Sequence, residues 1–151
     1  MKKGFFIVLI SIGLATMVTG QHDPLGLGIV VGEPTGISLK YWTGGTTAVD
    51  GAVAWSFNHG GSFYVHADFL QHHFEIIDIS EGEMPLYYGI GGKMVLADDP
   101  LLGVHIPLGI SYIFEQAPLD VFLEIRPGIN LIPATEFDMG GGIGIRYYFS
   151  Q

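Results

Sequence analysis

The chain has no cysteine. This excludes a disulfide framework, thiol chemistry and a lipid-modified cysteine. Basic residues are scarce, with 6 Lys and Arg against 15 Asp and Glu. Nucleic acid, which is bound through basic patches, is therefore not an expected partner. Charge of either sign is thin: 14% of residues, where an ordinary soluble domain carries about a quarter. Apolar residues make up 48%, yet no long apolar run follows the first twenty residues to supply a membrane-spanning helix. A helical 3.6-residue stripe of useful length is missing too. The apolar content must be spent in another way.

Residues 1–20 read as an export signal. Lys2 and Lys3 form a positive start, Gly4 to Val18 an apolar middle, and Val18-Thr19-Gly20 leaves small residues at the −3 and −1 positions before Gln21. Residues 21–151 are then one domain by length. Without Lys2 and Lys3 the balance is 4 cations against 15 carboxylates, a net charge of −11.

That domain is written in segments that alternate apolar and polar with period 2, the signature of strands. Eight are expected: Leu25–Gly32, Gly36–Trp42, Ala48–Phe57, Ser62–His72, Leu86–Leu96, Gly103–Phe114, Leu119–Leu131 and Asp138–Phe149. Between them lie clusters of Gly, Pro, Asp and Thr such as "EPTG", "TGGTT" and "ADDPLL", as turns require. The predicted fold class is all-β, an eight-stranded antiparallel up-and-down barrel.

Parity within the strands decides which side is wet. In the last one, Gly140, Gly142, Gly144, Arg146 and Tyr148 share a face, while Ile143, Ile145, Tyr147 and Phe149 share the other. In the one before, Asp120, Phe122, Glu124, Arg126, Gly128 and Asn130 oppose Val121, Leu123, Ile125 and Ile129. Lys40, Lys93, Arg126 and Arg146 all fall on faces rich in Gly and Ser, opposite bulky faces free of charge at mid-strand. A soluble barrel would then have a wet surface made mostly of Gly, Ser and Tyr. A transmembrane barrel reverses the faces, with lipid outside and a polar interior. A cation facing mid-bilayer costs about 2–4 kcal/mol. A one-residue slip would turn all four outward, at a cost on the order of 10 kcal/mol. The transmembrane arrangement is therefore expected, with Lys40, Asp50, His66, Asp68, Lys93, His105, Glu124, Arg126 and Arg146 as an interior polar network of four cations and three carboxylates. The outward aromatics Tyr41, Phe69, Tyr88, Tyr112, Tyr147 and Phe149 would form one rim girdle, and Trp55, Phe57 and Phe63 the other.

Several stretches carry a resemblance: "GEPTGISLKYW" (32–42), "DGAVAWSF" (50–57), "YVHADFLQH" (64–72), "MPLYYGIGG" (84–92), "GVHIPLGISYIF" (103–114), "PLDVFLEIRPG" (118–128) and "GGGIGIRYYF" (140–149). With these the chain resembles the small eight-stranded outer-membrane barrels of the OmpX and OmpA membrane-domain type, and more closely a family of bacterial outer-membrane β-barrel domains. The resemblance implies a monomer located in the outer membrane, with outer-membrane lipid as its surroundings. It also implies recognition by the barrel-insertion machinery through the C-terminal strand, whose alternate apolar residues end in Phe149; Ser150 and Gln151 run past the usual end of that signal. By the same count, the longest connection, Phe74 to Met84, falls on the side of both termini, where such barrels keep their turns short.

Candidate chemistry is sparse. An eight-stranded barrel has a lumen just wide enough for side chains to fill, so the interior charges read as a packed plug rather than a channel. His66 and Asp68 share a face, and His72 continues it, but no third ligand at metal spacing is evident. No His-x-Ser pair marks a hydrolase. The "GGGIG" run, 140–144, precedes no helix and so is no phosphate loop; its glycines would relieve crowding near Tyr148 and Tyr64. Glu75, Asp78, Glu81, Glu83, Asp98 and Asp99 read as solvated turn residues, or else as contacts for divalent cations or a cationic partner. The expectation is a non-enzymatic outer-membrane barrel without metal or cofactor, in a structural or surface-interaction role with an unidentified extracellular ligand. Two alternatives stand beside it: a lipid-modifying hydrolase using His66 and Asp68, and a soluble exported barrel that binds a small hydrophobic ligand.

Overall fold

The computed structural model describes residues 24–33, 35–56 and 62–149. The expected export signal, 1–20, and Phe57 of the second girdle lie outside the described residues. Of the described residues 73% are in strands and none in a helix. In chain order the strands are β1 (Leu25–Glu33), β2 (Gly36–Trp42), β3 (Thr47–Ser56), β4 (Ser62–His73), β5 (Leu86–Leu96), β6 (Leu101–His105), β7 (Leu108–Ile113), β8 (Leu119–Ile132) and β9 (Glu136–Tyr148).

They form one antiparallel sheet closed into a ring. From β1 to β5 each strand pairs with the next, β6 and β7 each pair with β5 and β8, β8 pairs with β9, and β9 returns to β1 through Gly26↔Tyr148 to Glu33↔Gly141. Closure leaves no unpaired edge, which satisfies the backbone of every strand within the sheet.

The expected strand Gly103–Phe114 is a correction: it is two strands, β6 and β7, so the ring holds nine strands in eight positions. The break is at Pro107. Its carbonyl accepts from the Gly89 N–H at 3.1 Å, but proline has no N–H to return the bond. Register survives the break. On β5 it runs from Gly91↔His105 to Tyr88↔Leu108, and on β8 from His105↔Gly128 to Leu108↔Ile125. A bulge between Leu102 and Gly103 leaves Leu131 of β8 as the extra residue.

The long connection does lie at the end of the ring where β1 begins and β9 finishes. It is not a free loop. Glu83 pairs with Ile113 through bonds of 3.0 and 2.7 Å, the Ser111 N–H donates to the Pro85 carbonyl at 3.0 Å, and the Tyr112 hydroxyl donates to the Glu81 carbonyl at 3.2 Å. The connection thereby carries the β5–β7 ladder past the nominal start of β5.

Side chains alternate sharply between the two faces. Inside the ring, Lys40, Asp50, His66, Asp68, His105, Glu124, Arg126 and Arg146 are all buried. Outside, Ile29, Val31, Ile90, Leu123, Ile125 and Ile143 are at least half exposed. Between the strand ends, the outward face carries no Lys, Arg, Asp or Glu among the described residues. Outward aromatics sit toward the two ends. Phe69, Tyr88, Tyr147 and Phe149 are exposed near the end of the termini, with Tyr41 and Tyr112 partly covered. Trp55 and Phe63 face each other across β3 and β4 toward the opposite end, where the structure adds Phe137.

Candidate functional site

All nine residues expected in the interior network are brought into the lumen, because β-parity fixes the face once the apolar side is known. Eight are buried, and Lys93 is nearly so, its side chain 11% exposed. The expected balance of three carboxylates is corrected to five. Asp120 is completely buried, and Asp138 pairs with Lys93. Asp120 stands on the polar face of β8, and its parity was the signal. Asp138 opens the polar face of β9 in the same way.

Beside the Lys93–Asp138 pair the network has three groups. Toward the end of the termini, Arg146 is the hub. Its Nε donates to Ser38 Oγ at 3.0 Å, one terminal nitrogen donates to Asp50 at 3.1 Å, and the other lies 3.6 Å from Asp120. The guanidinium lies over the Phe122 ring, 3.8 Å from its centre, a cation–π contact of the kind that gains strength when water is excluded. The Tyr148 hydroxyl donates to Asp120 at 2.5 Å. Lys40 stands opposite Asp50 in the β2–β3 register, but Arg146 occupies that carboxylate. The Lys40 ammonium instead reaches His72 Nε2 at 2.8 Å and lies 4.3 Å from the centre of the Trp42 ring.

In the second group Glu124 holds Arg126 and accepts from the Tyr87 hydroxyl at 2.9 Å. Sequence reasoning did not place Tyr87 or Trp42 inside, since an aromatic ring suits either face of a barrel strand. Glycines make the room. A Cβ on Gly144 would lie 2.4 Å from the Phe122 ring, and one on Gly26 would lie 2.6 Å from Tyr148. Gly144 of the "GGGIG" run thus makes room for Phe122 rather than for the expected Tyr148 and Tyr64, and the glycine beside Tyr148 is Gly26.

The third group joins β4 to β6. Asp68 pairs with Gly91 and Gly91 with His105, so a glycine separates the two side chains in one row of the sheet. A Cβ at Gly91 would stand 1.8 Å from Asp68 Oδ1. The carboxylate lies over that bare backbone and meets His105 Nε2 at 2.5 Å, while His66 Nδ1 stands 3.1 Å from its other oxygen. The two imidazole rings meet edge to face, 5.5 Å apart. His105 is the third ligand-type residue that the linear sequence does not reveal, since it lies 37 residues from Asp68.

A void of about 10 Å³ lies among Asp50, His66, Glu124 and Arg126, enough for about one water. A cleft of about 480 Å³ opens at the rim beside Trp42, Glu83, Glu115 and Tyr148. Beyond β4, the exposed Glu75 carboxyl is held below its usual range by its own backbone N–H and by the His73 imidazole. No family model, curated protein or solved structure matches the chain.

Proposed function

We propose that the chain is an integral outer-membrane β-barrel with a structural or surface-interaction role, and not an enzyme. One observation carries this reading: the belt of exposed Ile, Leu, Val and Met runs around the whole ring, while the strand charges project into the lumen. Water-soluble monomers rarely expose contiguous apolar patches above a few hundred Å², and here the patch has no lateral border. Hydrocarbon is the solvent that such a surface fits. The likeness to the OmpX and OmpA membrane-domain type, and to outer-membrane β-barrel domains, belongs to the same proposal, as do an export signal over residues 1–20, insertion through the C-terminal strand and a monomeric state.

The mechanism is mechanical. Aromatic girdles set the depth of the barrel. The Arg146 and Glu124 groups cross-link strands through the lumen and fix their register. The rims, with Glu83 and Glu115 at one end and Asp98 and Asp99 at the other, meet whatever partner the barrel has. The space of about 10 Å³ described in the lumen is lined by Asp50, His66, Glu124 and Arg126 among others, a polar lining that does not suit a small hydrophobic ligand. His66 and Asp68 face each other and His105, and among the described residues no serine hydroxyl hydrogen-bonds to either, so a hydrolase finds no activated nucleophile there.

Fractionation tests this reading. The chain is expected to remain with outer membranes through high salt and alkaline carbonate, to run at a heat-dependent position on gels, and to be cut by added protease only in its rims. Release by carbonate as a water-soluble protein would overturn it.

A further inference from the structure

We propose that His66, Asp68 and His105 form a binding site for a single divalent transition-metal ion of the zinc class. The three residues come from β4 and β6, and they offer one ligand atom each, all within 4.8 Å of one another. Zinc held at about 2.0–2.2 Å by His nitrogen and carboxylate oxygen sets tetrahedral ligand atoms roughly 3.3–3.5 Å apart. His66 and Asp68 are already separated by 3.1 Å, and His105 and Asp68 by 2.5 Å. The two contacts run to the two different oxygens of the Asp68 carboxylate, and the 2.5 Å contact would open to admit an ion.

The site is built rather than incidental. Gly91, standing between Asp68 and His105 in the sheet, is the only residue type whose side chain leaves the Asp68 carboxylate its place. All three side chains are at least 96% buried. Despite their 3.1 Å separation, His66 Nδ1 and Asp68 Oδ2 make no aligned hydrogen bond with each other or with any described group. Two buried polar atoms left so are costly, and both belong to the group whose ligand atoms lie within 4.8 Å of one another. Charge points the same way. Asp50 and Asp120 face Arg146, Glu124 faces Arg126 and Asp138 faces Lys93, whereas among the described residues Asp68 has imidazoles and no Lys or Arg within ion-pair distance. Lys93 stands beside His66 in the register but pairs with Asp138.

The ligand set selects the metal. Two imidazoles with one carboxylate suit zinc, copper or nickel, while calcium and magnesium prefer shells of oxygen. Three protein ligands leave a fourth position for a water, and the void of about 10 Å³ lies against His66. An ion here would tie β4 to β6 across β5, and because the site is enclosed it would be loaded as the barrel closes.

The experiment uses untagged protein refolded into detergent with zinc sulfate, desalted, and assayed for zinc by atomic emission. About one zinc per chain is expected, falling at least about tenfold in His66→Ala, His105→Ala and Asp68→Asn. His73→Ala, at a half-buried histidine outside the cluster, keeps the wild-type content. Wild-type protein that retains no zinc, or ligand variants that retain as much as wild type, would overturn the proposal. If the variants do not fold, the wild type refolded with cobalt(II) decides. The intense visible bands of a four- or five-coordinate ion support the site, and the weak bands of six-coordinate aquo-cobalt refute it.

Discussion

Arg146→Leu is expected to lower the stability of the folded barrel by about 3–5 kcal/mol, the range found when one partner of a buried ion pair is removed. The cost comes less from lost attraction than from what stays behind. Asp50 and Asp120 both remain in the lumen, each having lost its Arg146 contact. Ser38 Oγ loses its donor, and the Phe122 ring loses the cation above it. Arg146→Lys retains the charge, but a single ammonium cannot span Ser38, Asp50 and Asp120 as the guanidinium fork does, so an intermediate loss is expected. The diagnostic variant is the triple change Arg146→Leu, Asp50→Asn, Asp120→Asn, which removes the stranded charges. It should be more stable than Arg146→Leu alone, an inversion of ordinary additivity that reports direct coupling. Urea titration of the barrel in lipid vesicles measures all three. If Arg146→Leu is neutral, the guanidinium is not the hub of the lumen.

The second large effect is on the opposite face. Ile143 stands mid-strand in β9, 53% exposed, between Val31 of β1 and Leu123 of β8. On a water-facing surface Ile143→Arg would change stability by under about 0.5 kcal/mol. Facing the bilayer interior it should cost about 2–4 kcal/mol. Ile143→Leu, which keeps the apolar contact, should be close to neutral in both cases. A neutral Ile143→Arg in vesicles would mean that this face does not see hydrocarbon.

These two residues also mark how far the sequence could be read. Period-2 alternation told Arg146 from Ile145 and placed nine polar residues on one face, because a one-residue slip reverses every side chain and the two solvents differ so strongly. Gly36–Trp42 and Leu86–Leu96 were legible to the residue. Pro107 was visible too, yet the apolar alternation runs straight through it, and it is the N–H missing there, and at Pro127 opposite Ile106, that divides β6 from β7. Parity gives the face of a residue but not its height on the barrel or its partner across the lumen. Lys40 and Asp50 are register neighbours, and the side chain that reaches Asp50 comes from β9, 96 residues away. The His66, Asp68 and His105 cluster depends on the same unseen quantity. Asp68 meets His105 because the β4–β5 and β5–β6 registers set Gly91 between them, and no spacing along the chain encodes that row.

The chain contains two tryptophans, one on each face: Trp42 is 7% exposed inside the lumen, and Trp55 is 54% exposed outside. In Trp42→Phe protein reconstituted into vesicles, fluorescence reports Trp55 alone. The outward-apolar arrangement predicts blue-shifted Trp55 emission, quenched by lipids with brominated acyl chains and little affected by aqueous iodide. Emission at the wavelength of indole in water, quenched by iodide and indifferent to brominated lipid, would contradict it.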